Sequence, residues 1–147
     1  MCSEQTKRLE MKRERYLRDL SSEHHQALGL AREISTRVAE AVNLPALCDR
    51  VRSVFTTELT PHFVFEEQVI LPELARLGES ELVARTLKEH RQLRELVARL
   101  DENSALDEFA QLLKAHVRFE ERTLFAVCQE RFDAQAIAAI EKRSTQN

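Results

Sequence analysis

Apolar residues recur every three or four positions along most of this chain. That spacing places them on one stripe of a helix with charged residues opposite. The first series, Leu20, His24, Ala27, Leu28, Ala31, Ile34, Val38 and Ala41, predicts a long helix. It opens at Ser21-Ser22-Glu23, where a hydroxyl can cap and an acid sits in the first turn, and closes at Asn43-Leu44-Pro45. A second run starts near Ala46 and continues through Leu47, Val51, Val54, Phe55, Leu59, His62, Glu66, Val69, Ile70 and Leu74 to Leu77-Gly78. Pro61 inside it removes the hydrogen bond to the Thr57 carbonyl and should bend the helix just before His62; Pro72 repeats the effect or begins the end. Ser80-Glu81 reopens the pattern, with Leu82, Val83, Leu87, His90, Leu93, Val97 and Leu100 facing inward, and Asp101-Glu102-Asn103-Ser104 forms a turn. The fourth helix runs from about Ala105 to Arg131 through Phe109, Leu112, Leu113, His116, Glu120, Leu124 and Val127. Asp133 caps a short last helix, Ala134 to about Lys142, whose Ile137 and Ile140 cover one end.

Four amphipathic helices with tight connections predict an all-α fold, an up-down-up-down four-helix bundle with a short C-terminal helix. Residues 1–15 are charged with only a faint apolar repeat and read as a flexible arm, leaving 16–147 as a single domain. With 2 Gly and 3 Pro in 147 residues, the chain has too few turn formers for an all-β fold. The net charge of -3 gives no footprint for nucleic acid or an anionic membrane. No run of 18 apolar residues and no leader pattern are present, so a cytoplasmic protein is expected. Cys2, Cys48 and Cys128 are odd in number and far apart, the pattern of reduced thiols, and Cys2 lacks the apolar leader a lipid anchor needs.

The seams carry residues that do not belong in a core. His62-Phe63-Val64-Phe65-Glu66-Glu67 returns as His116-Val117-Arg118-Phe119-Glu120-Glu121, and both copies put a His-x-x-x-Glu pair on the inward face. Glu23-His24 and Glu89-His90 repeat in the first and third helices, so a pseudo-twofold axis would bring two equivalent sets together. Buried carboxylates and imidazoles cost on the order of a few kcal/mol each unless compensated, and a bound cation is the usual compensation. The set His24, His62, Glu66, His90, His116 and Glu120 offers nitrogen and oxygen donors without sulfur, which suits iron, manganese or zinc. Two carboxylates shared between the halves can bridge two metals. With a bridging oxygen, such a set leaves about two of roughly twelve octahedral positions for an exogenous ligand.

Blander readings stand beside these. A single inward histidine is more often hydrogen-bonded core than ligand; here one falls on each of four helices. His25 lies about 100° around from His24 and could exchange with it, but His24 continues the Leu20 to Ala27 seam. Glu67 and Glu121 read as solvated or as supports for ligands, able to bind only where winding loosens. Phe55, Phe65, Phe109 and Phe119 are core first, Cys48 and Cys128 small buried hydrophobes, and Tyr16 a packing residue at the bundle end that could also reach the site.

At these residues the sequence resembles the hemerythrin-like (HHE cation-binding) family, whose order of His, His-x-x-x-Glu, His, His-x-x-x-Glu is matched over residues 16 to 131, with Pro72 near the end of the second helix. The resemblance implies a non-heme di-iron centre with an oxo or hydroxo bridge that binds dioxygen or related diatomics. The Glu-x-x-His of ferritin-like di-iron proteins is absent. Classical oxygen carriers of the family have a further histidine one turn after the third-helix ligand, where this chain has Arg94. That departure opens a metal position and weakens the case for a reversible carrier; Arg94 could steady an anion or sit solvated at the rim. The leading expectation is a protein that binds or senses dioxygen, nitric oxide or reactive oxygen species. Its partner would be a small diatomic ligand or peroxide, with no nucleic acid or membrane, and a homodimer stays open. Below it rank a di-iron enzyme acting on peroxide or nitric oxide, iron storage or handling, and a structural bundle with satisfied core histidines.

Overall fold

The structure, a computed structural model, describes residues 13–101 and 104–145; the expectations for residues 1–12, for Cys2 and for Glu102-Asn103 lie outside them. Among the described residues the chain is helical throughout: α1 (Arg15–Glu40), α2 (residues 44–76), α3 (Ser80–Ala98), α4 (residues 105–131) and α5 (Ala134–Ser144). They form a helical bundle in which α1 and α3 both pack along α4, the last segment of α2 packs on α3, and α5 lies against α1 and α2. Apolar side chains gather in two clusters. One holds Ile34, Leu47, Phe55, Phe63, Leu93 and Phe109; the other holds Tyr16, Leu20, Leu74, Leu124, Phe125 and Ile140 at the end that α5 covers.

α1 starts at Arg15 rather than at Ser21. The stripe extends backward through Leu17 and Tyr16, 0% and 1% exposed, and burial of those two side chains outweighs a local capping signal. The first orphan N–H groups are met by other helices: Glu14 N–H donates to the Gln129 side chain at 3.3 Å and Tyr16 N–H to Glu141 at 3.0 Å. Ser21, freed from capping, donates its hydroxyl to Glu121 across the bundle at 2.9 Å. The α1 end matches its signals. Ala41 turns left-handed at φ 52°, and Asn43, also left-handed, accepts from Ala46 N–H with Pro45 in the first turn of α2.

α2 does not end at Pro72. It passes through Leu44–Val54, a π turn at Phe55–Leu59, Thr60–Phe65, a second π turn at Glu66–Ile70, and Leu71–Arg76. Pro61 and Pro72 each sit in the first turn after a π turn, where the wider loop has already taken the chain past the bond that proline cannot make. α4 carries a π turn at Glu120–Leu124 with no proline near it. Each such turn adds a residue and shifts the apolar phase. Leu71 is therefore buried beside the expected Ile70 while Val69 is only half-buried, and Phe125 is buried beside the expected Cys128 while Val127 is only half-buried. The inner face of α3 also differs: Thr86, His90, Leu93 and Leu96 are buried, whereas Leu87 is 39% exposed. Cys48 and Cys128 are free and buried.

Candidate metal centre

Between the two apolar clusters lies a polar layer with contributions from α1, α2, α3 and α4. His24, His62, Glu66, His90, His116 and Glu120 are each between 0% and 3% exposed, and the structure brings all six together. Their donor atoms form two quartets, His24-His62-Glu66-Glu120 and Glu66-His90-His116-Glu120, each with all atoms within 4.8 Å of one another. Glu66 and Glu120 belong to both, as bridging carboxylates would. Both glutamates begin π turns, so the loosened winding falls at equivalent points of α2 and α4, a common location for functional groups. His25 is exposed, turned away from the cluster that His24 joins.

The imidazoles approach the carboxylates without satisfying them. His24 Nε2 and Glu120 Oε1 are hydrogen-bonded at 2.8 Å. The other inward pairs are close but out of line: His62 Nε2 to Glu66 at 3.3 Å, His90 Nε2 to Glu66 at 3.1 Å and His116 Nε2 to Glu120 at 3.3 Å. His62 Nε2, His90 Nε2, His116 Nε2, both oxygens of Glu66 and Oε2 of Glu120 are buried with no hydrogen-bond partner. Such a concentration of orphaned polar atoms is costly in a dry interior, and a cation among them would answer every one. The residues therefore fit a metal-binding role: either quartet could hold a metal ion, and Glu66 and Glu120 belong to both.

Electrostatics show what this cluster does with protons alone. Burial by itself would raise the Glu120 carboxyl, but the charge of His116 and hydrogen bonding from the surrounding histidines hold it well below the carboxylate range. Burial would lower His116, yet Glu120 and then Glu89 raise it to about 10. His62 is held well above its ordinary value, burial being overcome first by the Glu66 charge, and His24 is raised chiefly by its bond with Glu120 against the same opposing burial. Without metal, protons on the imidazoles supply the positive charge.

Outside the six lies a ring of carboxylates, two of which, Glu67 and Glu121, the sequence left as either solvated or supporting a ligand, and two of which, Glu23 and Glu89, it left without a role at the site. Glu23 of α1 meets His62 Nδ1 at 3.3 Å, Glu67 of α2 meets His90 Nδ1 at 2.7 Å, Glu89 of α3 meets His116 Nδ1 at 2.7 Å, and Glu121 of α4 lies 3.7 Å from His24 Nδ1. Each of the four helices thus places a carboxylate beside a histidine of another; Glu23, Glu67 and Glu89 make hydrogen bonds, whereas Glu121 stands off and His24 Nδ1 has no hydrogen-bond partner. A carboxylate on the outer nitrogen fixes the ring orientation and strengthens the inner nitrogen as a donor. The signal was present in the paired Glu-His and Glu-Glu dipeptides, but which histidine each acid would serve depends on how neighbouring helices register. π winding at Glu66 and Glu120 does not turn Glu67 or Glu121 inward; both carboxylates lie beside outer nitrogens instead.

Arg94 does not face the centre; it sits at the rim, its side chain 39% exposed, but is ion-paired there. It donates to Glu67 at 3.0 Å and lies over the Phe63 ring, steadying the support of His90. Arg85 holds Glu89 at 2.9 Å and stacks on Phe119 at 3.9 Å, while Arg13 and Ser21 hold Glu121. Phe63, which the sequence reading did not single out, stacks on His90 at 4.0 Å between centroids, and Phe125 stacks on His24 at 5.2 Å. Tyr16 packs in the lower apolar cluster, its hydroxyl buried and unpartnered.

Comparison with known proteins agrees with this geometry. The family model described as the hemerythrin HHE cation binding domain matches residues 15–128. No curated protein and no solved structure matches the chain.

Proposed function

This chain belongs to the hemerythrin HHE cation-binding domain family, and from that membership we propose that its buried centre holds two iron ions and binds or senses dioxygen, nitric oxide or reactive oxygen species. The reading takes the bundle as four helices running up-down-up-down, with Glu66 and Glu120 bridging the ions under an oxo or hydroxo bridge; manganese or zinc would suit the same donors. Iron would supply one-electron redox chemistry and affinity for diatomic ligands. The protein's own residues orient the donors through Glu23, Glu67, Glu89 and Glu121, and Phe63 and Phe125 exclude water beside His90 and His24. One observation carries the reading: six buried donor atoms lacking any hydrogen-bond partner converge from α2, α3 and α4, with His24 of α1 completing the set.

The test is metal analysis of natively expressed protein together with its visible spectrum with and without oxygen. Bound iron near two equivalents with oxygen-sensitive bands supports the proposal, and His62→Ala or Glu66→Ala should lower the stoichiometry. Metal-free protein without such bands would leave a structural bundle. A second reading, an enzyme acting on peroxide or nitric oxide, draws on Arg94 standing where oxygen carriers of the family have another histidine. Turnover well above that of free iron would favour it.

Among the described residues no helix is long and apolar enough to cross a membrane.

A further inference from the structure

A cavity of about 540 Å³ opens between α1 and α2, and its lining includes His62. That histidine is 3% exposed and its Nε2 has no hydrogen-bond partner, so the cavity's inner wall is part of the polar layer itself. The Tyr16 side chain, whose buried hydroxyl is also unpartnered, lines the same space. Asp19 and Glu23, one turn apart on α1, line the cavity, and among the described residues Arg143 of α5 is the one Lys or Arg that lines it with them. Glu23 differs from the other outer carboxylates. Glu67, Glu89 and Glu121 are each clasped by an arginine and are 14% to 29% exposed, whereas Glu23 has no such clasp among the described residues and is 47% exposed. Among the described residues, arginines thus close the bundle at three of its four supporting acids, whereas at the fourth Glu23 has only His62 as a partner.

We infer that this cavity is the route by which divalent metal ions reach the buried centre, with Asp19 and Glu23 as successive carboxylate stations that hand the ion on to His62. The inference rests on the metal-binding reading above. A dication entering the cavity is attracted by the Asp19 and Glu23 carboxylates, whose oxygens replace its water in steps rather than all at once. Arg143 opposes that attraction, so charge changes at Asp19 and at Arg143 should act in opposite directions. Neither residue is one of the six candidate ligands, which separates passage from final binding.

The experiment mixes full-length apoprotein, stripped by chelator, with cobalt(II) in a stopped-flow instrument and follows the visible bands of bound cobalt, with the end point checked by metal analysis. Asp19→Asn should slow uptake by about threefold and Arg143→Gln should speed it by a similar factor. Both effects should shrink at about 0.5 M sodium chloride, and all end points should equal the wild type. Val64→Trp, placing a bulky ring at a lining position that is 36% exposed, should slow uptake by about tenfold or more through steric closure. Wild-type rates in all three variants at full stoichiometry would overturn the route while leaving the centre intact. Rates independent of cobalt concentration would also overturn it, because an opening of the bundle would then control uptake. A wild-type protein that takes up no cobalt at equilibrium would remove the centre and the route together.

Discussion

Glu89→Gln separates a carboxylate that supports the centre from one that merely faces water. Glu89 Oε1 lies 2.7 Å from His116 Nδ1, its side chain is 14% exposed, and Arg85 holds its other oxygen at 2.9 Å. Burial would push this carboxyl up, but the His116 hydrogen bond, then Arg85, keep it below its ordinary value, so it is charged at neutral pH. The amide preserves volume and an acceptor oxygen while removing the charge. His116 then loses the partner that orients and polarises its ring, and the Arg85 guanidinium is left uncompensated beside a site meant for cations. Losses of this kind cost about 10- to 100-fold in metal affinity, or about 1.4–2.7 kcal/mol. Glu95→Gln, an exposed change on the same helix, supplies the comparison, with an expected effect within about 0.5 kcal/mol. Chelator competition under one buffer and salt condition reads both. Equal affinities for the two variants would refute the claim that the outer carboxylates tune this centre.

Other outcomes follow from the same geometry. The metal-free protein should be most stable between about pH 4.5 and 6.5 and lose stability as pH rises toward about 10, because the raised His116 contributes fully only below its ordinary value of 6.5. Below that window the depressed Glu120 acts with the opposite sign, its contribution present above its ordinary value of 4.5 and lost as pH falls, so apoprotein melts across pH should show a maximum. Metal affinity should instead rise between pH 6.5 and 10 with protons released on binding, measured by calorimetry in two buffers of different ionisation enthalpy. His24→Ala should lower metal stoichiometry while His25→Ala leaves it unchanged, since His25 is exposed and turned away from the cluster that His24 joins. Phe109→Ala empties a fully buried position in the cluster that holds Ile34 and Phe63 and should cost about 3–5 kcal/mol in chemical denaturation, without altering which residues form the His/Glu layer.

The parts of this molecule that obey short-range rules were readable from the chain alone. Pairs four residues apart on an amphipathic helix must share a face, so His62 with Glu66 and His116 with Glu120 were placed inward by periodicity, as were His24 and His90. The helical class and the approximate helix ends followed from the same spacing. What depended on neighbours did not follow. α1 begins at Arg15 because Tyr16 and Leu17 find a core and Glu141 of α5 meets a free amide, none of which a capping rule can see. Extra π residues at Glu66 and Glu120 shift which side chains are buried beyond them, and α3 rotates Leu96 in and Leu87 out to suit its packing. Which acid serves which histidine was likewise decided between helices, as was the task of Arg94. Periodicity assigns a residue to a side of its own helix; the rotation and axial offset of one helix against another come only from packing the whole bundle, and here those two quantities set the ring around the centre.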